Sequence, residues 1–442
     1  MTPANNTSNE SLARTLGVKD LVLLVIGTVI GSGIFIVPAV VLRQTGGSVS
    51  LALLVWVVAG VLSLLGALTY GELGAARPEA GGLYSYIRDA FGPLPAFLYG
   101  WTKFFVIATG SAATLAVAFS LYLQQFVPLS PIAAKVVSVA MLVVIAIINV
   151  RGTRGSAGVQ NWSTGLKAGA ILVMSIALIT TGSGLANADF AFPPLTPSLL
   201  SGVALSLIGV LWAYEGWQYV TFAAGEATDP QRTFPRAIVV GTALLILLYT
   251  LANLGYVAAL GASGVQASDR VAASAVQEAF GPSAARLITA IILVSMFSAT
   301  NGLTLTAPRL YFSMARDDVF FRKLGEIHPQ YGTPAFAIIA GTAWSALLAV
   351  SGTFEQLLTY VVFSGWIFYG LGAASLFVFR RRETNAAASF RVPGYPVTPA
   401  LFVASAAAIV VNAIVTAPAQ ALVGLAAVLA GIPAYLFWKR RR

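Results

Sequence analysis

Twelve apolar runs, each long enough to cross a bilayer or nearly so, follow one another along the chain with only short polar joints between them. They occupy residues 20–42, 49–75, 94–127, 131–150, 163–183, 199–224, 237–260, 284–314, 334–351, 356–380, 399–417 and 419–438. A hydrocarbon core about 30 Å thick takes roughly 20 apolar residues per helix, and a spanning segment must satisfy its own backbone hydrogen bonds. The pattern therefore predicts an all-α membrane protein with twelve transmembrane helices. Only 10% of the residues are charged against 57% hydrophobic, too few charges to coat a water-exposed globule. The alternating ten-residue segments of a membrane β-barrel do not occur.

The net charge of +10 would suit nucleic acid if it were gathered in one patch, but it is spread over alternate joints. Nineteen Lys and Arg fall on the joints and flanks of one side and four, Arg43, Lys135, Arg270 and Arg286, on the other. Lys103, Lys167 and Arg309 lie within the runs. This is the positive-inside bias; it predicts cytoplasmic N- and C-termini, a multi-pass protein of the cell membrane with lipid as its surroundings, and no nucleic-acid partner. The first nineteen residues are polar and no small-residue cleavage site follows the first run, so no removable signal peptide is expected. Cysteine is absent, which excludes a disulfide-linked partner subunit and thiolate ligands. The single histidine, His328, excludes a histidine metal cluster. No GxSxG, HExxH or phosphate-loop motif occurs, so neither a cofactor nor an enzyme activity is expected.

A short internal repeat organises the runs. "SYIRDAFGP" (85–93) stands between the second and third, and "SAVQEAFGP" (274–282) between the seventh and eighth, with five of nine positions identical. Each copy lies two helices into a five-helix block, and the two fall on opposite sides of the membrane. That is the requirement of an inverted repeat. The expected organisation is a cytoplasmic tail at 1–19, a first five-helix unit at 20–183, a second, inverted unit at 184–382, and two further helices with a basic tail at 383–442.

If the units correspond, their first helices correspond too. The first reads "GTVIGSGIF" (27–35) and the sixth "VLWAYEGWQYV" (210–220). Glycine costs about 1 kcal/mol relative to alanine inside a helix, so the cluster serves either close packing or an unwound segment; paired interruptions in two halves point to unwinding around a substrate site. Unwinding at Gly31, Ser32 and Gly33 leaves N–H groups of Ser32, Gly33 and Ile34 at a positive helix start that suits a carboxylate. Carbonyls near Val29, Ile30, Trp212 and Ala213 suit an ammonium group. Carboxylate and ammonium on neighbouring atoms describe an α-amino acid.

These stretches carry a resemblance. "GTVIGSGIF", "LWAYEGWQ" (211–218), "GEATDPQRTFPRAI" (225–238), "TNGLTLTAPRLYFSMARDDVFF" (300–321) and "FRVPGYPVTP" (390–399), in this order, resemble the L-amino acid transporter family of the amino acid–polyamine–organocation superfamily. The resemblance runs nearly end to end. It implies a leucine-transporter-like fold, a five-plus-five inverted repeat with discontinuous helices 1 and 6 plus two extra helices, and sodium-independent amino acid uptake or exchange by alternating access. By position it implies that Val29 and Gly31 to Gly33 hold the substrate backbone and that Trp212 replaces the family's usual aromatic gate. Proton-coupled amino acid carriage, polyamine exchange and a non-transporting amino acid sensor are the alternatives.

Two charged residues inside the runs bear on the site. Glu215, beside Gly216, is costly at membrane depth and should face a cavity or a partner; it admits cationic side chains, or serves small neutral substrates while protonated, or bonds the backbone of the break. Lys167, in "STGLKAGAILVM" (163–174), either snorkels to the interface or, as the resemblance implies, places its ammonium where sodium-coupled relatives bind a cation, with Ser295 and Ser298 of the eighth helix as neighbours. Lys103 is expected to snorkel. The "RRR" run (380–382) is expected against anionic lipid, and Glu72 with Arg77 and Arg88 at cytoplasmic helix ends, either as a latch or as topology determinants.

Overall fold

The computed structural model describes residues 16–78, 81–151, 156–194, 196–317, 319–382 and 390–440. Most of the tail expected at 1–19 lies outside them, as do Arg14, Arg154, Arg441 and Arg442. The described residues are helical apart from turns and one isolated bridge between Leu16 and Ala227. In order they are α1 (Val18–Val29), α2 (Gly33–Gln44), α3 (Val49–Ala76), α4 (Leu83–Phe91), α5 (Pro93–Thr102), a π-helical turn (Lys103–Ile107), α6 (Ala108–Leu123), α7 (Pro131–Arg151), α8 (Ser156–Thr181) and α9 (Pro197–Ala213). A 3₁₀ helix (Trp217–Glu226) leads to α10 (Pro230–Ala267) and α11 (Val271–Arg316), and a short 3₁₀ turn (Arg322–Gly325) to α12 (Ala335–Ser351), α13 (Phe354–Arg382), α14 (Val397–Thr416), α15 (Pro418–Leu429) and α16 (Gly431–Lys439).

Ten helical segments are long and apolar enough to span, and the bent pair α1 and α2 makes an eleventh. The run expected at 334–351 forms α12, a shorter apolar helix of 17 residues. Side chains such as Ile132, Val136, Val143 and Ile147 on α7, Val411 and Val415 on α14, and Leu422 and Val423 on α15 remain exposed, an outer apolar face suited to lipid. The core gathers around α1, α2, α6, α10, α11 and α13.

Both copies of the nine-residue repeat adopt one backbone geometry. α4 ends at Phe91; Gly92, at φ 92° and ψ −179°, turns the chain, and Pro93 opens α5. In α11, Gly281, at φ 83° and ψ 178°, breaks the helix in the same way before Pro282. Only glycine takes such a positive φ with little cost, and proline suits the first helical position because it lacks an N–H. The Phe-Gly-Pro triplet is thus a helix–turn–helix corner used twice. A further kink at Gly261 (φ 65°) ends the long part of α10, at the boundary expected at residue 260.

One end of the bundle is tied by a network of charges, and here the expected pairing changes. Glu72, buried on α3, is gripped by Arg380 through two hydrogen bonds of 2.8 and 2.6 Å and accepts the backbone N–H of Val392 at 2.7 Å. Arg77 and Arg88 turn elsewhere: Arg77 bonds Asp89, and Arg88 bonds Asp89 and, at 3.1 Å, Asp317. Arg382 donates to the carbonyl of Asp89. Two members of the "RRR" run are therefore bound within the chain, because the end of α13 lies against α3 and α4, which present the Glu72 carboxylate and the Asp89 carbonyl. Arg380→Ala leaves a buried carboxylate without its counter-charge, a loss of about 3 kcal/mol for a pair of this kind. Thermal denaturation in detergent should show a lowered midpoint; an unchanged midpoint would show that the pair is idle.

Candidate functional site

The break in the first span has a definite local cause. α1 runs to Val29, Ile30 turns to an extended conformation (φ −70°, ψ 96°), and α2 restarts at Gly33 with its axis bent by 49°. The bend brings Gly33 against the other interrupted segment: a Cβ placed on Gly33 would lie 2.5 Å from the Cα of Ala213. α9 in turn ends at Ala213, a turn occupies 214–216, and Gly216 at φ 125° admits the chain into the 3₁₀ helix. A Cβ there would lie 2.6 Å from the carbonyl oxygen of Thr28. The two interruptions meet backbone against backbone, which only glycine permits.

Around the meeting point lies a cavity of about 20 Å³ lined by Thr28, Val29, Gly31, Ser32, Gly33, Ser111, Leu115, Trp212, Glu215, Tyr219 and Leu303. Of the expected residues, Val29, Gly31, Ser32, Gly33, Trp212 and Glu215 reach it. Ile30, Ile34, Ala213 and Gly216 pack behind it. Ser32 is 1% exposed and its hydroxyl has no hydrogen-bond partner among the described residues. It stands at the start of α2, where the first N–H groups of a helix lack intrahelical acceptors and the dipole is positive.

The carbonyl ends of the two broken helices already hold partners. Lys167 donates from Nζ to the carbonyls of Gly27 at 2.7 Å and Ile30 at 2.8 Å, and the Ser295 hydroxyl donates to Ile30 at 3.3 Å. A cation at a helix C-terminus is favoured by the dipole, and this one is 2% exposed, so the snorkelling alternative is set aside. Ser298 is within 2.7 Å of the Ser163 hydroxyl and is not bonded to Lys167. The Tyr249 hydroxyl, from α10, donates to Ala213 at 3.1 Å and lies 3.4 Å from the Val29 carbonyl. The backbone N–H of Glu215 donates to Trp212, and Thr28 Oγ1 stands 3.1 Å from the Gly216 carbonyl. Of the carbonyls expected to be bare, those of Ile30, Trp212 and Ala213 are bonded, Ile30 by two donors, and that of Val29 has the Tyr249 hydroxyl at 3.4 Å.

Glu215 is held by side chains, not by backbone. Its Oε1 accepts from Gln218 at 2.6 Å, Tyr219 at 3.3 Å and, across the bundle, Tyr369 of α13 at 2.5 Å. Tyr214 packs on Trp56 and Tyr249, and Trp217 on Tyr70 and Phe402, away from the cavity. Lys103 does not snorkel: it is 1% exposed, with Nζ 3.6 Å from the centre of the Tyr219 ring. The π-helical turn that begins at Lys103 carries one extra residue, which changes the face this side chain presents. Thr28, Tyr249, Tyr219, Tyr369 and Lys103 were not read as site residues; a polar side chain at mid-span is the signal they share, and in the tyrosines it is indistinguishable from packing.

Comparison with known proteins agrees with this architecture. The human cystine/glutamate transporter is 31% identical over 429 residues, covering 95% of this chain and 85% of that protein. The serine/threonine exchanger SteT of Bacillus subtilis (strain 168) is 28% identical over 99% of both chains. The human b(0,+)-type amino acid transporter 1 is 32% identical over 87% of this chain and 79% of that one. These relatives are transporters and exchangers, not enzymes. With the amino acid permease family model matching residues 16–432 as well, the chain belongs to the amino acid permease family.

Proposed function

We propose that the chain is a sodium-independent amino acid exchanger of the cell membrane, working by alternating access through two interrupted helices. The observation that carries this reading is the Ser32 hydroxyl at the start of α2, without a hydrogen-bond partner among the described residues and lining a cavity between two broken spans. In this reading α12 is the ninth of twelve spans, and residues 20–183 and 184–382 are the inverted units of a leucine-transporter-like fold. The twice-used Phe-Gly-Pro corner supports the repeat, and the basic joints put both termini in the cytoplasm.

The substrate carboxylate is taken by the N–H groups of Ser32, Gly33 and Ile34 and by the Ser32 hydroxyl. Its ammonium is taken by the second lone pairs of the Val29 and Trp212 carbonyls, with Trp212 as a gate. Named activities of the relatives, exchange of serine and threonine and transport of cystine and glutamate, are consistent with a zwitterion gripped by backbone. Lys167 supplies a fixed positive charge where a carrier of this architecture would otherwise need a dissolved cation. A cavity of about 20 Å³ holds little more than one water, so admission of an amino acid requires α1, α2 and α9 to part. A larger space of about 480 Å³ between α2, α9, α13 and the start of α15, at the end of the bundle away from the Glu72 network, is the natural route in.

Purified protein in liposomes preloaded with unlabelled amino acid should accumulate labelled amino acid by counterflow, at the same rate when choline replaces sodium. Sodium dependence would overturn the role given to Lys167. Collapse of flux without a pH gradient would favour a proton-coupled carrier, inhibition by polyamines that lack a carboxylate would favour polyamine exchange, and saturable binding without flux would favour a sensor.

A further inference from the structure

The cavity has a side-chain wall as well as a backbone wall, and its electrostatics follow from two residues on different spans. Glu215 is the charged residue among the described lining. Behind it, and not in the lining, stands Lys103, whose ammonium has no hydrogen-bond partner among the described residues and rests on the Tyr219 ring at 3.6 Å. The same ring carries the hydroxyl that donates to Glu215 at 3.3 Å. Tyr219 therefore separates the two charges while contacting both. An ammonium over an aromatic face is attracted by the ring quadrupole. Both side chains are buried, where an uncompensated lysine or glutamate would be costly, whereas opposite charges on the two compensate each other. With one proton shared between the two residues, the pair has no net charge. Lys167 is not part of this pair: its ammonium is bonded to the Gly27 and Ile30 carbonyls and lies outside the cavity lining.

We propose that Lys103 is a specificity-determining residue: by neutralising Glu215 through Tyr219, it restricts the transported side chain to uncharged groups. This inference rests on the exchanger reading above and names its substrate class. A free carboxylate at Glu215 would select lysine- or arginine-like side chains, so the buried counter-charge decides between the cationic and the neutral alternatives in favour of small neutral amino acids. It also explains why the carboxylate, already accepting from Gln218 and Tyr369, offers a substrate an acceptor of hydrogen bonds more than a charge.

The test is counterflow of radiolabelled alanine, serine, arginine and glutamate by the full chain in liposomes, for wild type, Lys103→Met, Glu215→Gln and the double variant. Wild type should move alanine or serine about tenfold or more faster than arginine or glutamate, the size of discrimination a single unmatched charge provides. Lys103→Met should shift the ratio toward arginine by about tenfold, and Glu215→Gln toward glutamate. The double variant, with no buried charge in the pair, should return to the wild-type order, because the two single shifts have opposite sign and cancel. Arginine moved as fast as alanine by wild type, or an unchanged ratio in Lys103→Met, overturns the inference while leaving the exchanger reading in place. Absence of flux for every amino acid overturns the exchanger reading and this inference with it. Should Lys103→Met fail to yield monodisperse protein, the wild-type ratio and the double variant decide the matter.

Discussion

Lys167→Met loses counterflow activity by about a hundredfold or more while the protein still folds. Methionine keeps the length and apolar stem of lysine and removes the ammonium, which donates to the Gly27 carbonyl at 2.7 Å and the Ile30 carbonyl at 2.8 Å. Hydrogen bonds from a charged group contribute about 1.5–3 kcal/mol each, and about 1.4 kcal/mol is tenfold in a rate. Loss of both bonds thus amounts to two or more orders of magnitude if the ammonium holds the end of α1 in the shape that the moving gate requires. The C-terminal dipole of α1 would lose its counter-charge at the same time. Flux measured in sodium and in choline separates charge from packing. In the variant, the Gly27 and Ile30 carbonyls and the Ser295 hydroxyl are left as an oxygen cluster suited to a small cation, so sodium should restore part of the rate that choline does not. Full activity of Lys167→Met in choline would reduce Lys167 to a filler of space.

The breaks around the cavity were legible in the sequence because they violate a local rule. Three glycines between 27 and 33 and the Glu215–Gly216 pair are expensive in an uninterrupted apolar helix, and nothing in the surrounding composition compensates them. Lys167 was legible for the same reason: a charge in an apolar run demands a partner. What stayed hidden depended on register and on contacts between distant segments. Lys103 reads as an interfacial lysine until the π-helical turn carries it inward onto Tyr219. Arg380 reads as part of a lipid-facing basic cluster until the end of α13 is placed against Glu72. Tyr249 sits among leucines, where a tyrosine that packs and a tyrosine whose hydroxyl bridges two broken helices leave the same trace. The carbonyls of Ile30 and Ala213 were expected to be bare because their partners, Lys167 and Tyr249, lie 137 and 36 residues away along the chain, an approach no local pattern encodes.

Gly33→Ala and Gly216→Ala are expected to act through different physics, and the contrast tests the geometry on which the transport reading depends. At Gly33 the backbone is helical and accepts alanine without strain, but the new Cβ would stand 2.5 Å from the Cα and Cβ of Ala213. Since that neighbour is backbone, relief requires α2 and α9 to separate. Separation of this kind does not unfold a helix; it disturbs the closed form of the cavity. The expected result is therefore a protein that still folds, with its melting midpoint lowered only by the overpacking of about 1–3 kcal/mol, and whose counterflow falls by about a hundredfold, as for misplacement of a binding site by an ångström. At Gly216 the positive φ of 125° is itself unfavourable to a side chain, and the Cβ would also meet the Thr28 carbonyl at 2.6 Å. Strain of about 1–3 kcal/mol is then added to a backbone collision, so Gly216→Ala should lower the melting midpoint further than Gly33→Ala does, as well as the flux. Thermal denaturation and counterflow measured on the same preparations distinguish the two. If Gly33→Ala transports at the wild-type rate, α2 and α9 do not close on each other during the cycle, and the substrate must be held somewhere other than between the two interrupted helices.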